Sequence, residues 1–175
     1  MSLPSRIVFA SGNRGKLAEV ARLLAAYGVE VVPQSELGVT DAEETGTTFV
    51  ENSLIKSRHA AAVTGLPAIA DDSGLEVDFL NGAPGIYSAR YAGPGGDSAA
   101  NNAKLLAALT GVPAAQRGAR FQCLLVYLRH ADDPTPIICQ GSWEGRILDA
   151  THGDHGVGGV VLASDQLPGI EIEIG

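Results

Sequence analysis

Cysteine, aromatic side chains, positive charge and long apolar runs are all scarce in this chain of 175 residues. Two cysteines, Cys123 and Cys139, are too few for a disulfide framework. They also lack the close spacing of a redox or zinc site, so reduced structural thiols are expected. With one Trp, four Tyr and four Phe, any core must be mainly aliphatic. Lys and Arg number 12 against 20 Asp and Glu, a net charge of -8 that repels a polyanion, so polymeric nucleic acid is not an expected partner. A small phosphorylated ligand stays open, because oriented N–H groups, one or two lysines and a divalent cation can reverse the field locally. No apolar stretch approaches the ~20 residues of a membrane span. Residues 1–10 have neither the charged start nor the apolar stretch of a secretory signal, so a cytoplasmic protein with no membrane partner is expected.

What is present is a hydrophobic content of 45%, with Gly and Pro (22 and 9) below the level of a low-complexity polymer, which predicts one compact domain over 1–175. Residues 6–10 read as a β-branched and aromatic strand that stops at Ser11-Gly12-Asn13-Arg14-Gly15. From Lys16, apolar residues at Leu17, Val20, Ala21, Leu24 and Tyr27 follow helical spacing until Gly28. A second strand is predicted over 29–33, then a polar, acidic loop over 35–46. Thr48 and Glu51 stand at capping-box spacing ahead of an alanine-rich helix over 49–63, ended by Gly65. Residues 66–70 read as a buried strand, and Asp71-Asp72-Ser73-Gly74 follows immediately, with two acids at the strand's carboxyl end. A third helix is expected over 101–110 and a hairpin from 121–128 and 135–139, with Trp143 packing at its end. Strands alternating with helices and then pairing as a hairpin indicate an α/β domain with a mixed sheet. The segment 157–175 carries no clear pattern and looks atypical for the end of a domain.

Several clusters could carry chemistry. The loop 11–16 lies between a strand and a helix N-terminus, where free N–H groups and Lys16 suit a phosphate; an ordinary strand-to-helix turn is the alternative. It is not a Walker loop, since Ala10 and Leu17 stand where that motif needs Gly and Ser/Thr. Adjacent Asp71 and Asp72 demand a positive neighbour, and a hard cation such as Mg²⁺ could share them with substrate oxygens; a backbone-bonding turn would explain them too. Glu43 and Glu44 alone read as a solvated loop. Asn52, Lys56 and His59 share one helical face. His152, Asp154 and His155 offer either a metal cluster, which would imply a different metal phosphohydrolase, or a surface turn.

Four segments taken together closely resemble the inosine triphosphate pyrophosphatases, bacterial members above all. They are Ala10-Ser11-Gly12-Asn13-Arg14-Gly15-Lys16, the run 43–52 beginning Glu43-Glu44-Thr45-Gly46, Ala70-Asp71-Asp72-Ser73-Gly74-Leu75, and the run 82–91 beginning Gly82-Ala83-Pro84-Gly85. The resemblance extends from about Arg6 to about Gly156. It implies an elongated mixed sheet with flanking helices, two lobes around a central cleft, and a homodimer. It also implies Mg²⁺-dependent hydrolysis of dITP, ITP and XTP to the monophosphate and pyrophosphate, a sanitation of the nucleotide pool. By the same resemblance Ser11, Gly12, Asn13, Arg14, Gly15, Lys16 and Ser73 bind substrate, and Glu44 and Asp72 bind metal, with Glu43 the alternative to Glu44. Asp72 accepts the proton of the attacking water, supported by Asp71, and Lys56 neutralises charge on the triphosphate. The family's aromatic-Gly-aromatic-Asp segment and its late Ser-His-Arg are absent, and the aligned stretch reads Val157-Gly158-Gly159-Val160-Val161. That departure leaves a second expectation beside the first: a catalytically weakened nucleotide-binding protein.

Overall fold

The structure, a computed structural model, describes residues 3–149 and the strand residues 162–163. Strand β1 (Arg6–Phe9) leads into helix α1 (Arg14–Ala25), β2 (Glu30–Pro33), a 3₁₀ turn over Gln34–Leu37, and helix α2 (Phe49–Thr64). Then come β3 (Ala68–Val77), 3₁₀ turns over Asp78–Leu80 and Gly85–Arg90, helix α3 (Ser98–Ala108), β4 (Gly118–Leu128), β5 (Ile137–Ile147) and the short β6 (Leu162–Ala163). The strands form one sheet in the order β2-β1-β3-β4-β5-β6. It is mixed, since β1 pairs parallel with β2 and β3 while β5 pairs antiparallel with β6. The expected α/β class with flanking helices is therefore observed.

Contacts divide the chain into two compact units, Met1–Asp72 with Leu124–Gln140, and Ser73–Cys123 with Gly141–Gly175. The divisions fall inside β3, β4 and β5, so each unit is assembled from discontinuous pieces of chain. In the first unit α2 lays Ala60 and Ala61 on Val8, Ala10, Ala68 and Ala70, small residues that let the helix backbone approach the strands closely. Leu124, Val126 and Leu128 of β4 pack against Phe49, Val50 and Leu54 of the same helix. The second unit has its own core of Leu75, Val77, Leu105, Leu109, Val112, Ala119 and Ile147, with Trp143 packed on it. Aliphatic residues dominate these cores, as the shortage of aromatics requires. Among the described residues Cys123 and Cys139 form no disulfide. Among the described residues no helix is long and apolar enough to cross a membrane.

Two elements differ from the sequence expectation in ways that shape the site. Helix α1 starts at Arg14, with Asn13 as its cap accepting from Lys16 N through Oδ1 at 3.0 Å, so the loop closes two residues earlier than expected. And the strand expected over 66–70 begins at Ala68 and runs on through Asp71-Asp72-Ser73-Gly74 to Val77, 10 residues in all, so the alternative of a turn there is not what forms. Aspartate and glycine favour turns, but β3 continues past the end of β1 with β4 as its neighbour on the other side, and sheet context overrides that propensity.

Candidate active site

The parallel register pairs Val8 with Ala68 and Phe9 with Ile69, and Ala10 N donates to Ile69 O at 2.8 Å. Strand β1 ends there while β3 runs on, so the chain leaving β1 at Ser11 emerges beside Asp71 and Asp72. From β1 the chain crosses to β2 on one side, and its other neighbour is β3. The point is a topological switch, where the carboxyl ends of parallel strands leave an open crevice. The two aspartates lie within a strand, yet just past the carboxyl end of its neighbour.

Side chains alternate across a strand, and the adjacent acids accordingly go to different helices. Asp71, 3% exposed, accepts from Lys16 Nζ at the start of α1. Asp72 Oδ1 lies 3.6 Å from Lys56 Nζ on α2, and the same ammonium is 3.0 Å from Glu44 Oε1. Two charged clusters result on adjacent residues of one strand: Lys16 with Asp71 on the α1 side, and Asp72 with Lys56 and Glu44 on the α2 side. The positive neighbours that two adjacent aspartates require are thus Lys16 and Lys56. Of the acidic pair in the loop, Glu44 is half-buried on Lys56 and Glu43 is exposed. Asp71 Oδ1 is buried without a hydrogen-bond partner among the described residues. Ser73 follows on β3 as the first residue of the second unit.

The loop 11–16 folds on itself, with Asn13 N donating to Ser11 Oγ at 3.2 Å. A Cβ on Gly12 would meet nothing within 4 Å, and its φ is not in the left-handed region, so neither packing nor backbone strain calls for glycine there. Open space beside a bare backbone is what a ligand needs to approach N–H groups closely. Ser11, Gly12, Asn13 and Arg14 line one wall of a cavity of about 790 Å³, and Gln34 and Asp41, joined by a 2.6 Å hydrogen bond, belong to another.

Helix α2 organises the acidic loop. Both halves of the expected capping box are present, and Gly65 ends the helix in the left-handed conformation. Glu51 Oε2 accepts from Thr47 N (2.7 Å), Thr47 Oγ1 (2.9 Å), Thr48 N and Thr48 Oγ1 (both 3.0 Å). Those donors, the Thr47 backbone first, hold its carboxyl below the usual carboxylate range. The next residue, Asn52, accepts from Gly46 N at 2.9 Å, and two turns further on His59 Nε2 lies 3.0 Å from Thr40 O. The shared face of Asn52, Lys56 and His59 is thus the face that carries the loop. The loop-holding role of Glu51 and Asn52 was not apparent from sequence beyond the capping-box spacing. His152, Asp154, His155 and the segment 157–161 lie outside the described residues.

The comparisons decide the kinship. The model of the Ham1 family matches residues 7–158. The chain belongs to the Ham1 family. A dITP/XTP pyrophosphatase from Thioalkalivibrio sulfidiphilus is 63% identical over 153 residues, 87% of this chain and 78% of that protein. One from Vibrio cholerae is also 63% identical, covering 87% of this chain and 76% of the relative. Among solved structures, a HAM1 protein from Coxiella burnetii superimposes with a TM-score of 0.85 at 46% identity, covering 92% of this chain and 82% of that one. The Ham1 protein of Staphylococcus aureus gives 0.81 at 38%, covering 93% and 83%. The resemblance read from the four motifs is borne out by family, sequence and fold together.

Proposed function

We propose that this Ham1-family chain hydrolyses non-standard purine nucleoside triphosphates, dITP, ITP and XTP, to the monophosphate and pyrophosphate, and so cleans the nucleotide pool. The observation that carries the reading is the pair of clusters, Lys16–Asp71 and Asp72–Lys56–Glu44, held by adjacent residues of β3 just past the end of β1. Relatives 63% identical bear the name dITP/XTP pyrophosphatase, which favours catalysis over the weakened binder.

The charges argue for a divalent cation. At Lys56 one ammonium faces two carboxylates, Glu44 and Asp72, and a triphosphate would add further negative charge. Among the described residues no cluster of three or more His, Cys, Asp or Glu side chains forms a closed metal cage. Two carboxylates converging on one point, with other positions left to water and phosphate oxygens, is the donor set Mg²⁺ accepts. Glu44 and Asp72 would hold it, and when bound it would supply charge neutralisation across neighbouring phosphate oxygens.

The chain's own residues then divide the work. The N–H groups of Gly12, Asn13, Arg14 and Gly15, the Ser11 hydroxyl and Lys16 receive the triphosphate, with Ser73 touching substrate from β3. Asp72 takes a proton from the water that attacks the α-phosphorus. The bond from that phosphorus to the bridging oxygen breaks, and pyrophosphate leaves with the electron pair. Lys56 offsets the charge gathering on the phosphoryl oxygens, and Asp71 keeps Lys16 in place. The proposal includes one nucleotide-hydrolase domain over 1–175, a cytoplasmic location and a homodimer. Leu23 and Ile137, 63% and 59% exposed, border an apolar groove with Val20, Leu24 and Cys139 that a second copy would cover.

The test is steady-state release of pyrophosphate from dITP, XTP, dATP and dGTP with Mg²⁺. dITP and XTP are expected to turn over with much the higher kcat/KM, giving monophosphate and pyrophosphate in equal amounts. Binding without turnover would establish the weakened binder instead.

A further inference from the structure

Asn52 is fully buried on α2, has no part in the chemistry above, and spends its side chain on the loop that carries Glu44. Its Oδ1 accepts from Gly46 N, while its Nδ2 is buried without a hydrogen-bond partner among the described residues. An amide that leaves two N–H donors unmatched in the interior costs stability, and an apolar side chain would be the more stabilising choice. The return for that cost is the position of the loop backbone. Gly46 is fitted to the same contact: a Cβ there would come within 2.6 Å of Asn52 Oδ1 and of Glu51 Cβ. It has no positive φ, so the close approach of the helix, not backbone strain, is what requires glycine.

The neighbouring attachments fall in a graded order along the helix. Glu51 holds Thr47 and Thr48, Asn52 holds Gly46, Lys56 meets Glu44 itself, and His59 reaches Thr40. Of the bonds to loop backbone, the one at Gly46 is nearest in sequence to Glu44. It is also the only one of these made by a fully buried uncharged side chain. We propose that Asn52, through its hydrogen bond to Gly46 N, is a positioning residue that sets the Glu44 carboxylate for binding a divalent cation. The inference rests on the reading of Glu44 and Asp72 as the cation ligands.

The test is Mn²⁺ affinity of the full chain without nucleotide, read from the electron paramagnetic resonance signal of free Mn²⁺. It is measured for the wild type, Asn52→Ala, Gly46→Ala, the double variant and Glu44→Gln. Asn52→Ala and Gly46→Ala each are expected to weaken Mn²⁺ binding about 10-fold, the low end for loss of a group that orients a ligand. The double variant should match the single ones, because all three break one bond. Turnover of dITP should show a lower kcat at saturating nucleotide with KM changed less than about threefold, since the loop 11–16 is untouched. Asp97→Ala, which removes the α3 N-cap, serves as a stability control and should lower the melting temperature without moving Mn²⁺ affinity.

If Asn52→Ala does not fold, Gly46→Ala carries the same test from the loop side. Should Glu44→Gln bind Mn²⁺ as the wild type does, the metal reading itself is wrong. If Glu44→Gln weakens binding while Gly46→Ala and Asn52→Ala do not, only the positioning role is overturned.

Discussion

Two buried carboxylates in the first unit, Asp71 beside the loop 11–16 and Asp133 between β4 and β5, each meet a cation, and there the likeness ends. Asp133 is saturated. Its Oδ2 accepts from Arg129 N and Nε at 3.0 and 2.8 Å, its Oδ1 from Thr135 N at 3.0 Å and from Arg129 Nη2. The bidentate guanidinium locks a turn, and it leaves nothing for a ligand. Asp71 meets a lysine, a point charge on a flexible stem, and keeps its Oδ1 unmatched in the interior. Lys56 likewise divides one ammonium between Glu44 and Asp72. The Asp133 network is closed, whereas the Asp71 and Asp72 clusters leave cations that can turn to a new anion, as the proposed polyphosphate site requires.

The comparison breaks first at the lysines. Lys56→Ala should lower kcat for dITP by about 10²- to 10³-fold, the loss typical of removing one group that stabilises developing charge. Lys16→Met should raise the KM by about 10- to 100-fold through lost charged hydrogen bonds to phosphate. It should also lower the melting temperature, because Asp71 is left buried without its cation. Adding Asp71→Asn to Lys16→Met should restore much of the melting temperature and none of the KM, separating the two duties of that lysine.

Asp133 should behave in the opposite way. The Arg129 guanidinium beside it holds its carboxyl well below the usual carboxylate range. A depressed folded-state value means that the stabilisation is complete above the unfolded value of about 4 and is lost as pH falls below it. Asp133→Asn should therefore lower the melting temperature at pH 7 and flatten its decline below about pH 4, with kcat for dITP unchanged at 25 °C. The smallest effect is expected at the α2 cap. Thr48→Ala removes the acceptor of Glu51 N and should cost about 1 kcal/mol, a fall in melting temperature of about 2–4 °C.

Which parts of this were legible in the sequence follows from the range of the interactions. Local signals read well: Thr48 and Glu51 form the capping box at the expected place, and Gly65 ends α2 where the pattern stops. The four motifs gave the kinship and hence the candidate residues. What failed was non-local. Asp71-Asp72-Ser73-Gly74 has the composition of a turn, yet it stays extended beyond the end of β1, in a strand whose other neighbour is β4. Nothing in the spacing says that Asp71 and Asp72 answer to different helices, because that depends on strand alternation and on where β1 stops. The hairpin strands run longer than the sequence suggests, to Gly118 at one end and Ile147 at the other, passing through Gly141. Glycine lowers strand propensity, yet at Gly118 it admits Asp78, whose Oδ2 lies 2.6 Å from where a Cβ would stand. Glu43 and Glu44 could be told apart only once Lys56 was in place.

The most direct measurement sets Asp72→Asn beside Asp133→Asn, following pyrophosphate release from dITP at a temperature where both remain folded. The account predicts a kcat lower by about 10²- to 10⁴-fold for Asp72→Asn, with nucleotide still bound, and wild-type turnover for Asp133→Asn. Wild-type turnover by Asp72→Asn would contradict it.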